Sequence, residues 1–470
     1  MISQLQPYPE YKELGSTWLE RVPGHWETRP AFGAFEPNHE RNLGMKENTI
    51  LSLSYGRIVV KPAEKLHGLV PKSFETYQIV NPGDIVIRTT DLQNDRTSLR
   101  VGAVRNRGII TSAYLALKSK TGVNPSYGYQ LLNAWDLSKA IYYYGSGLRQ
   151  NLDFSHFKRM TIALPPPSEQ AAIVKFLDWA NGRLERAIRA KRKTIALLNE
   201  QKQAIIHRAV TRGLDPNVKL KPSGILWLGD IPAHWDVMPL KGACKIQSGV
   251  TLGKDYAGQA LHEYPYLRVA NVQAGHTNLT VIKTIRVPTG EAANCMLQKG
   301  DVLMTEGGDP DKLGRGCVWD GQVSPCLHQN HVFAVRPNQS RLDPHFLSAL
   351  MGTLYARAYF QSTAKQTTNL ASTNKTKIGM LRLLLPKVDE QKTILSTLTE
   401  RTLPLTTSIE KLDREIALIR EYRTRLVADV VTGKLDVREA AKGLPDEVVE
   451  PAPATEAEEP SESEPGEVEA

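Results

Sequence analysis

Residues 164–170 read LPPPSEQ, and residues 385–391 read LPKVDEQ. In both stretches a Leu-Pro pair is followed at the same spacing by Glu-Gln, and the offset of 221 residues holds without a gap as far as residues 435–436. Proline is favoured at the start of a helix, and the residues that follow are apolar at steps of three, four and seven. The two stretches therefore predict two long helices that are copies of one another.

Each predicted helix carries one narrow apolar seam, which is typical of a coiled coil. The seam positions are Ile173, Leu177, Ala180, Leu184, Ile188, Ile195, Leu198, Ile205 and Ala209 in the first helix, and Ile394, Leu398, Leu405, Ile409, Leu412, Ile416, Ile419, Leu426 and Val430 in the second. Some 40 residues of helix span about 60 Å. A helix of that length with a single apolar stripe needs a partner, and we expect the two helices to pair with each other.

The ends of the two helices have their own signals. Ser168 and Asp389 occupy equivalent positions and are residue types that commonly cap a helix start. Gly213 and Gly433 stand near the predicted ends, where glycine is common. Pro404 lies inside the second helix, where a proline removes a hydrogen bond, so we expect a kink or a break there.

The repeat extends outward from the helices over nearly the whole chain. Two tryptophans, a proline and a histidine in residues 15–26 return in register in residues 224–235. Shorter motifs are also repeated: residues 82–86 return at 299–303, residues 124–127 at 343–346 and, with weaker similarity, residues 149–152 at 365–370. The number of residues between equivalent positions of the two copies grows slowly along the repeated unit, so the insertions lie in the middle of that unit.

Before each long helix the chain is rich in short strands. Runs typical of β-strands occur at 50–55, 57–60, 84–87, 281–285 and 331–335, and a shorter helix is expected near 126–144 and 344–360. The predicted fold class is α+β, with two tandem β-rich units that are each followed by a long α-helix. The predicted boundaries are 1–164 and 216–385 for the β-rich units, 165–215 and 386–440 for the helices, and 441–470 for an acidic tail whose composition predicts disorder.

Charge is distributed unevenly along the chain. The net charge is +9, but residues 443–470 hold ten Asp and Glu and no Lys or Arg, which leaves 59 basic and 40 acidic residues in the rest. A body with a net charge of about +19 favours a polyanionic partner such as nucleic acid. A charge that serves only solubility is the alternative. The acidic tail raises the further question of whether it masks this charge within the molecule.

Several classes of protein are disfavoured by what the sequence lacks. No apolar run approaches the ~18 residues of a membrane span, and the N-terminal residues do not have the pattern of a secretion signal. The four cysteines form no CxxC pair, so they predict reduced thiols and neither a zinc site nor a disulfide framework. Signatures of phosphate-binding loops, hydrolases, zinc proteases and methyltransferases are absent. The sequence therefore indicates a binding protein with no catalytic and no metal site.

The duplicated order of motifs carries a family resemblance. Each β-rich unit opens with a Trp…Pro-x-His-Trp pattern, at 18–26 and 227–235, and each closes with the Leu-Pro…Glu-Gln helix entry. Over roughly residues 10–440 this order resembles the DNA-specificity subunit of type I restriction-modification enzymes. The resemblance implies that each β-rich unit is a target recognition domain that reads one half of a split site in double-stranded DNA. It further implies that the long helices pair as an antiparallel coiled coil and act as a ruler between the half-sites.

The same resemblance implies partners that carry the chemistry. Two modification subunits would bind S-adenosylmethionine and methylate adenine N6, and restriction subunits would act as motor and nuclease. S-adenosylmethionine, ATP and Mg²⁺ are expected on those subunits, and no cofactor is expected in this chain. The complex would be cytoplasmic and serve defence against phage. The alternatives are a non-catalytic assembly scaffold, or a stand-alone DNA-modifying enzyme with an unrecognised site.

The central segments of the two β-rich units differ in sequence, which is expected if the units bind two different half-sites. Arg can bond guanine, Asn and Gln can bond adenine, and Glu can accept from cytosine. The candidates for base contact are Arg88, Thr90, Gln93, Asn94 and Arg96 in the first unit, and Arg268, Asn271, Thr305 and Glu306 in the second. Four residues in the loops after the shorter helices are candidates for phosphate contact, namely Arg149, Gln150, Lys365 and Gln366. The alternative is that all of these are solvated turn residues.

Overall fold

A computed structural model describes residues 5–445 of the chain, apart from residues 16–17, 63–72, 91, 94, 96–97, 145–150, 226, 309–312, 315 and 367–370. The chain divides into two compact units. The first comprises Met1–Arg192 together with Asp413–Ala470, and the second comprises Lys193–Leu412. The division passes through both long helices, because the C-terminal part of the second helix packs into the core of the first unit.

The first unit is built around an antiparallel sheet with the strand order Phe35–Pro37, Leu115–Ser119, Ile85–Ile87, Val101–Ala103. Its remaining strands pair two by two: Tyr11–Glu13 with Arg21–Pro23, Glu27–Pro30 with Thr161–Leu164, Leu51–Ser54 with Arg57–Val60, and Gln78–Val80 with Gly108–Ile110. Its shorter helices are Pro125–Leu137 and Phe154–Phe157, with 3₁₀ turns at Ala31–Gly33 and Ala140–Tyr143. The central strand Ile85–Ile87 is fully buried, which explains why it is an uninterrupted apolar run in the sequence.

The second unit has a sheet with the corresponding order, Cys244–Ser248, Val332–Pro337, Val302–Thr305, Gly316–Val318, again antiparallel. Smaller sheets join Leu220–Pro222 to Asp230–Pro232, Asp236–Pro239 to Arg382–Leu385, His262–Leu267 to both Lys283–Val287 and Leu327–His328, and Ala371–Ser372 to both Gly307–Gly308 and Lys365–Gln366. The shorter helices are Thr289–Asn294, Pro344–Met351, Leu354–Thr363, Lys375–Met380 and, near the chain's end and in the first unit, Arg438–Lys442, with 3₁₀ turns at Leu240–Gly242 and Val269–Asn271. The α+β class is therefore confirmed.

Three predicted elements differ from the structure in detail. The helix expected near 126–144 ends at Leu137 and is followed by a 3₁₀ turn at Ala140–Tyr143, because Lys139 between them has a left-handed backbone with a φ angle of +59°. The helix expected at 344–360 is two helices, because Thr353 ends one turn and caps the next by accepting a hydrogen bond from the Ala356 amide. The strand expected at 281–285 is found at Lys283–Val287, two residues later.

The long helices are Pro167–Arg212 and Val388–Val431. Ser168 and Asp389 lie within the first turns and not at the caps, so the predicted caps are two residues late. The prediction of a break at Pro404 is wrong, since the second helix is continuous through it. The proline ring removes the hydrogen bond to the carbonyl of Glu400, but both Pro404 and Glu400 are exposed, so water can satisfy that carbonyl.

The predicted seam lies on the buried side of both helices. Every seam position is buried or half-buried. In the first unit Lys191 Nζ lies 2.6 Å from Glu415 Oε2, and Arg423 Nη1 lies 3.2 Å from Glu185 Oε2. In the second unit Lys202 Nζ donates to Thr406 Oγ1 at 2.9 Å.

The repeated glutamate ties the start of each long helix to its β-rich body. In the first unit the buried Glu169 carboxylate accepts from Trp26 Nε1 at 2.8 Å and from the Tyr8 hydroxyl at 2.5 Å, and it lies 2.8 Å from His25 Nε2. Burial, and then the Glu169 carboxylate, raise the pKa of Tyr8 far above its ordinary value, so the hydroxyl remains a donor. The helix start is thus fixed by charge-assisted hydrogen bonds.

The second unit repeats this contact with its own copies of the motifs. Glu390 accepts from Trp235 Nε1 at 3.0 Å and lies 2.9 Å from His234 Nε2. The adjacent Gln391 donates to the carbonyl of Arg341 at 2.8 Å, which anchors the loop before the shorter helix. The His-Trp and Glu-Gln motifs are therefore two sides of one structural contact, made once in each unit.

The helix ends explain the two glycines. Gly213 and Gly433 have φ angles of +74° and +76°, which favour glycine. A Cβ atom on Gly433 would lie 2.4 Å from Pro23 Cδ and 3.1 Å from Trp26, so the second long helix ends against the tryptophan of the first unit. In the second unit, the end of the first helix at Gly213 lies against Trp235 in the same way.

All four cysteines are buried free thiols. Burial raises the pKa of Cys244 and Cys326 to about 12 and that of Cys317 to about 11, which keeps these thiols protonated at neutral pH. Among the helices that the structure describes, none is long and apolar enough to cross a membrane.

Candidate nucleic-acid interface

A buried arginine shapes the first candidate loop, which follows the strand Ile85–Ile87. Arg100 has no exposed surface, and its guanidinium donates to the carbonyl of Thr90 at 2.8 Å, of Arg88 at 3.3 Å and of Asp95 at 2.5 Å. One planar side chain therefore holds three points of the loop at once.

Arg100 is itself held by two residues from the shorter helices. Its backbone amide donates to Asp136 Oδ2 at 2.6 Å, and its Nε donates to the Tyr142 hydroxyl at 3.1 Å. Burial raises the pKa of Asp136, and the amide of Arg100 opposes that shift. The loop thus rests on a buried polar network, which fixes its conformation only while every member is present.

The candidate residues of this loop have distinct surroundings. Arg88 is half-buried and forms an ion pair with Asp95 at 3.4 Å, while Gln93 is exposed. The carbonyl of Thr89 accepts from the Leu152 amide at 2.9 Å, so the loop meets the segment after the shorter helices. Four other candidates lie outside the described residues, namely Asn94, Arg96, Arg149 and Gln150.

The second unit brings its candidates together at the corresponding place. The carbonyl of Glu306 accepts from the Thr373 amide at 2.8 Å, which matches the bond between Thr89 and Leu152 in the first unit. The Glu306 carboxylate lies 2.6 Å from His331 Nδ1, and both side chains are partly exposed. A carboxylate only accepts, so His331 donates and one carboxylate oxygen remains available.

A small sheet brings the phosphate candidates to this site. Lys365–Gln366 pairs with Ala371–Ser372, which pairs with Gly307–Gly308 directly after Glu306. Lys365 is exposed. The prediction that Lys365 and Gln366 lie in a loop is wrong, because the chain returns beside them and completes their backbone hydrogen bonds as a strand.

Three other candidates of the second unit are tied into the fold. Thr305 is buried at the end of its strand. Asn271 is buried, and its side chain donates to the carbonyls of Asn278 and Val281 at 2.8 and 2.9 Å and accepts from the Arg268 amide at 2.9 Å. This geometry argues against base contact by Asn271, whose amide already holds a turn. Arg268 is half-buried, and its Nε has no hydrogen-bond partner among the described residues.

A polar cleft of about 780 Å³ opens beside the first candidate loop. Its walls come from five segments, which include Thr90, Arg41 and Lys158. Arg41 and Lys158 are exposed, and the side chain of neither makes a hydrogen bond or ion pair with another described residue. Across the described residues no group of three or more His, Cys, Asp and Glu is arranged to hold a metal ion.

Sequence reasoning missed four residues of these sites, namely Arg100, His331, Arg41 and Lys158. A buried arginine has no distinctive pattern, and the cleft is assembled from distant segments. One signal was present for His331: its position lies 217 residues after Tyr114, the same offset that separates Glu306 from Thr89.

The chain is similar to known proteins both in sequence and in fold. Residues 232–418 match the family model described as the type I restriction modification DNA specificity domain. The type I restriction enzyme MjaVIII specificity subunit of Methanocaldococcus jannaschii is 24% identical over 343 residues, which cover 71% of this chain and 75% of that protein. The MjaX specificity subunit of the same organism is 27% identical over 177 residues, 37% of this chain and 40% of that relative.

The similarity extends to one further relative and to a solved structure. The EcoKI specificity subunit of Escherichia coli is 23% identical over 293 residues, 61% of this chain and 60% of that protein. The matches therefore span less than two thirds of the MjaX and EcoKI subunits. A solved chain from work on complex assembly and conformational transition of the type I R-M system shares the fold, with a TM-score of 0.55 at 16% identity over 88% of this chain and 99% of that one.

Proposed function

We propose that this chain, which belongs to the DNA-specificity subunits of type I restriction-modification enzymes, reads a split DNA site and directs its partner subunits to it. The resemblance seen in the repeated motifs is confirmed by these matches. As a specificity subunit it is the non-catalytic member of the complex.

One observation carries the proposal of two reading sites. Both units keep the same strand order and the same backbone bond between the candidate loop and the segment after the shorter helices. The side chains at this place differ, with Thr89 and Tyr114 in one unit and Glu306 and His331 in the other. A constant frame with different hydrogen-bonding groups is what two target recognition domains for different half-sites require.

The contacts of the long helices support an antiparallel coiled coil. The paired residues are Glu185 with Arg423, Lys191 with Glu415, and Lys202 with Thr406, so one number falls as the other rises. The first two pairs lie within the first unit and the third within the second. We infer that the pair acts as the ruler that sets the distance between half-sites, about one helical turn of DNA.

The partners follow from the family and from the charge. Two modification subunits would supply S-adenosylmethionine and adenine-N6 methylation, and restriction subunits would supply ATP- and Mg²⁺-dependent translocation and cleavage. The net charge of about +19 outside the acidic tail supports binding to DNA. The complex would work in the cytoplasm against phage DNA.

The experiment is to co-express the chain with a candidate modification subunit and to map N6-methyladenine in the host DNA by long-read sequencing. We expect methylation at one split motif, and loss of one half-motif when the corresponding β-rich unit is exchanged. A stable complex without any motif would favour the scaffold alternative. Methylation by this chain without a partner would favour the stand-alone enzyme and overturn the proposal.

Replacing His331 by leucine is expected to relax discrimination at one base of the half-site that the second unit reads. Without the imidazole, the Glu306 carboxylate loses the donor that fixes its orientation, and we expect about tenfold weaker discrimination. His331→Asn keeps a donor near the Nδ1 position and should restore it. The methylated motif measured for each variant reports the change.

His345→Leu, an exposed histidine of the same unit, is the matched control and should leave the motif unchanged. The half-site of the first unit serves as an internal control in every sample. An unaltered second half-site in the His331→Leu variant would rule out the positioning role.

A further inference from the structure

We propose that the cleft of the first unit receives the sugar-phosphate backbone of duplex DNA, with Arg41 and Lys158 contacting phosphates. The inference rests on the proposed DNA-reading function and names a surface for it. None of the predicted phosphate contacts included these residues, which come from segments more than 100 residues apart in the sequence.

The charge of the cleft is the first argument. Arg41 and Lys158 line it, as does His39, and all three side chains are exposed. None of the three side chains has a hydrogen bond or ion pair with any described residue. The carboxylate in the lining belongs to Asp153, which accepts from the Ser155 amide at 2.7 Å and so caps the helix Phe154–Phe157. In addition to Ser155, the Lys158 ammonium is near enough to Asp153 to help lower the pKa of that carboxyl, but no hydrogen bond or ion pair joins the two side chains among the described residues. Arg41 and Lys158 are therefore open to a phosphodiester chain at a concave surface.

The position of the cleft is the second argument. Thr89 and Thr90 of the candidate loop form part of its lining, and so do Asn151 and Leu152 of the segment that meets that loop. Phosphate contacts fix the register of a protein on the duplex, and base contacts read it. Here the two cations lie in the same cleft as Thr90, a candidate base contact.

The hydrogen bonds in the lining give the cleft a fixed shape. Gln78 Nε2 donates to the carbonyls of Thr111 and Tyr114 at 3.1 and 2.7 Å, and Thr89 Oγ1 donates to the carbonyl of Ala113 at 2.8 Å. Hydrogen bonds therefore connect segments of the cleft wall, and they do not involve the side chains of Arg41 and Lys158. A preformed site of this kind loses little conformational freedom on binding.

The test measures the salt dependence of DNA binding by the full-length chain. Fluorescence anisotropy is recorded between 50 and 300 mM salt with a duplex that carries the methylated motif and with a shuffled duplex. For the double variant Arg41→Ala/Lys158→Ala we expect weaker binding to both duplexes, and a slope of log K against log[salt] that is shallower by about 2. Arg41→Lys/Lys158→Arg keeps both charges and should keep the slope.

Lys442→Ala is the charge control, because Lys442 is an exposed lysine of the same unit that pairs with Glu439. It should leave the slope unchanged, and thermal melting checks that every variant is folded. An unchanged slope in the folded double variant overturns the cleft proposal. If the wild-type chain shows no preference for its motif, the proposed function itself fails.

Discussion

A variant that carries Arg100→Met is expected to lose recognition of the half-site read by the first unit while the other half-site is retained. The methionine removes the guanidinium donor from the carbonyls of Arg88 and Thr90, and the Asp95 carbonyl loses the same donor but keeps the Tyr142 hydroxyl. It also leaves the buried Asp136 with one cation fewer. Removing one partner from such a buried network costs about 3–5 kcal/mol. Preference for the first half-site should therefore fall by roughly 100-fold or more.

Two measurements check this expectation. The methylation motif of the variant complex should keep its second half and lose bases from its first. Hydrogen exchange should speed up around residues 85–103 and remain slow in the second unit. Arg100→Lys keeps the charge, but it cannot span three carbonyls with a planar fork, so it should give an intermediate loss. A variant with an intact first half-site would show that the loop does not depend on Arg100.

A charge buried at the C-terminal end of the second long helix is expected to destabilise the first unit, although most of that unit lies at the other end of the sequence. Val431, near the end of the second helix, is buried in the core of the first unit, and Val210, its equivalent at an offset of 221, is buried in the core of the second. Val431→Asp should lower the free energy of unfolding of the first unit by about 4 kcal/mol or more, because a carboxylate replaces a fully packed side chain. Val210→Asp should do the same to the second unit.

Hydrogen exchange resolved by peptide distinguishes the two variants. In Val431→Asp the fast-exchanging peptides should come from the strands around Ile85–Ile87, and in Val210→Asp from those around Val302–Thr305. The twin variants control for each other, since the substitution and the position in the repeat are the same. If Val431→Asp opened the second unit instead, the assignment of residues 413–444 to the first unit would be wrong.

The sequence predicted the elements that repeat, because a pattern that occurs twice is hard to produce by chance. The long helices, their apolar seams and the terminal glycines belong to this group. It did not predict which motifs touch, although His25-Trp26 and Glu169 both recur in the second unit, and their joint recurrence could have indicated a contact. The prediction for Pro404 failed because an exposed proline costs a helix less than a buried one.

The candidate interface was harder to predict than the fold. A polar residue in a loop has the same appearance in a sequence whether it faces solvent or holds a turn, and Asn271 holds a turn. Glu306 was selected for its chemistry alone, and its partner His331 follows from strand pairing. Arg41 and Lys158 meet only after the chain has folded, so no local pattern could place them in one cleft.

The distribution of the first unit over two separate parts of the chain has a consequence for folding during synthesis. Its core needs Leu426, Val430 and Leu444, which leave the ribosome long after Arg192. At about 5–20 residues per second the delay is roughly 10 to 50 s. Over that time Ile173 and Phe176 lack part of their packing, and the second unit, which ends at Leu412, is complete before Leu444 has been made. The unit that is translated first is therefore the one that finishes folding last, and it is the one that most needs protection from aggregation.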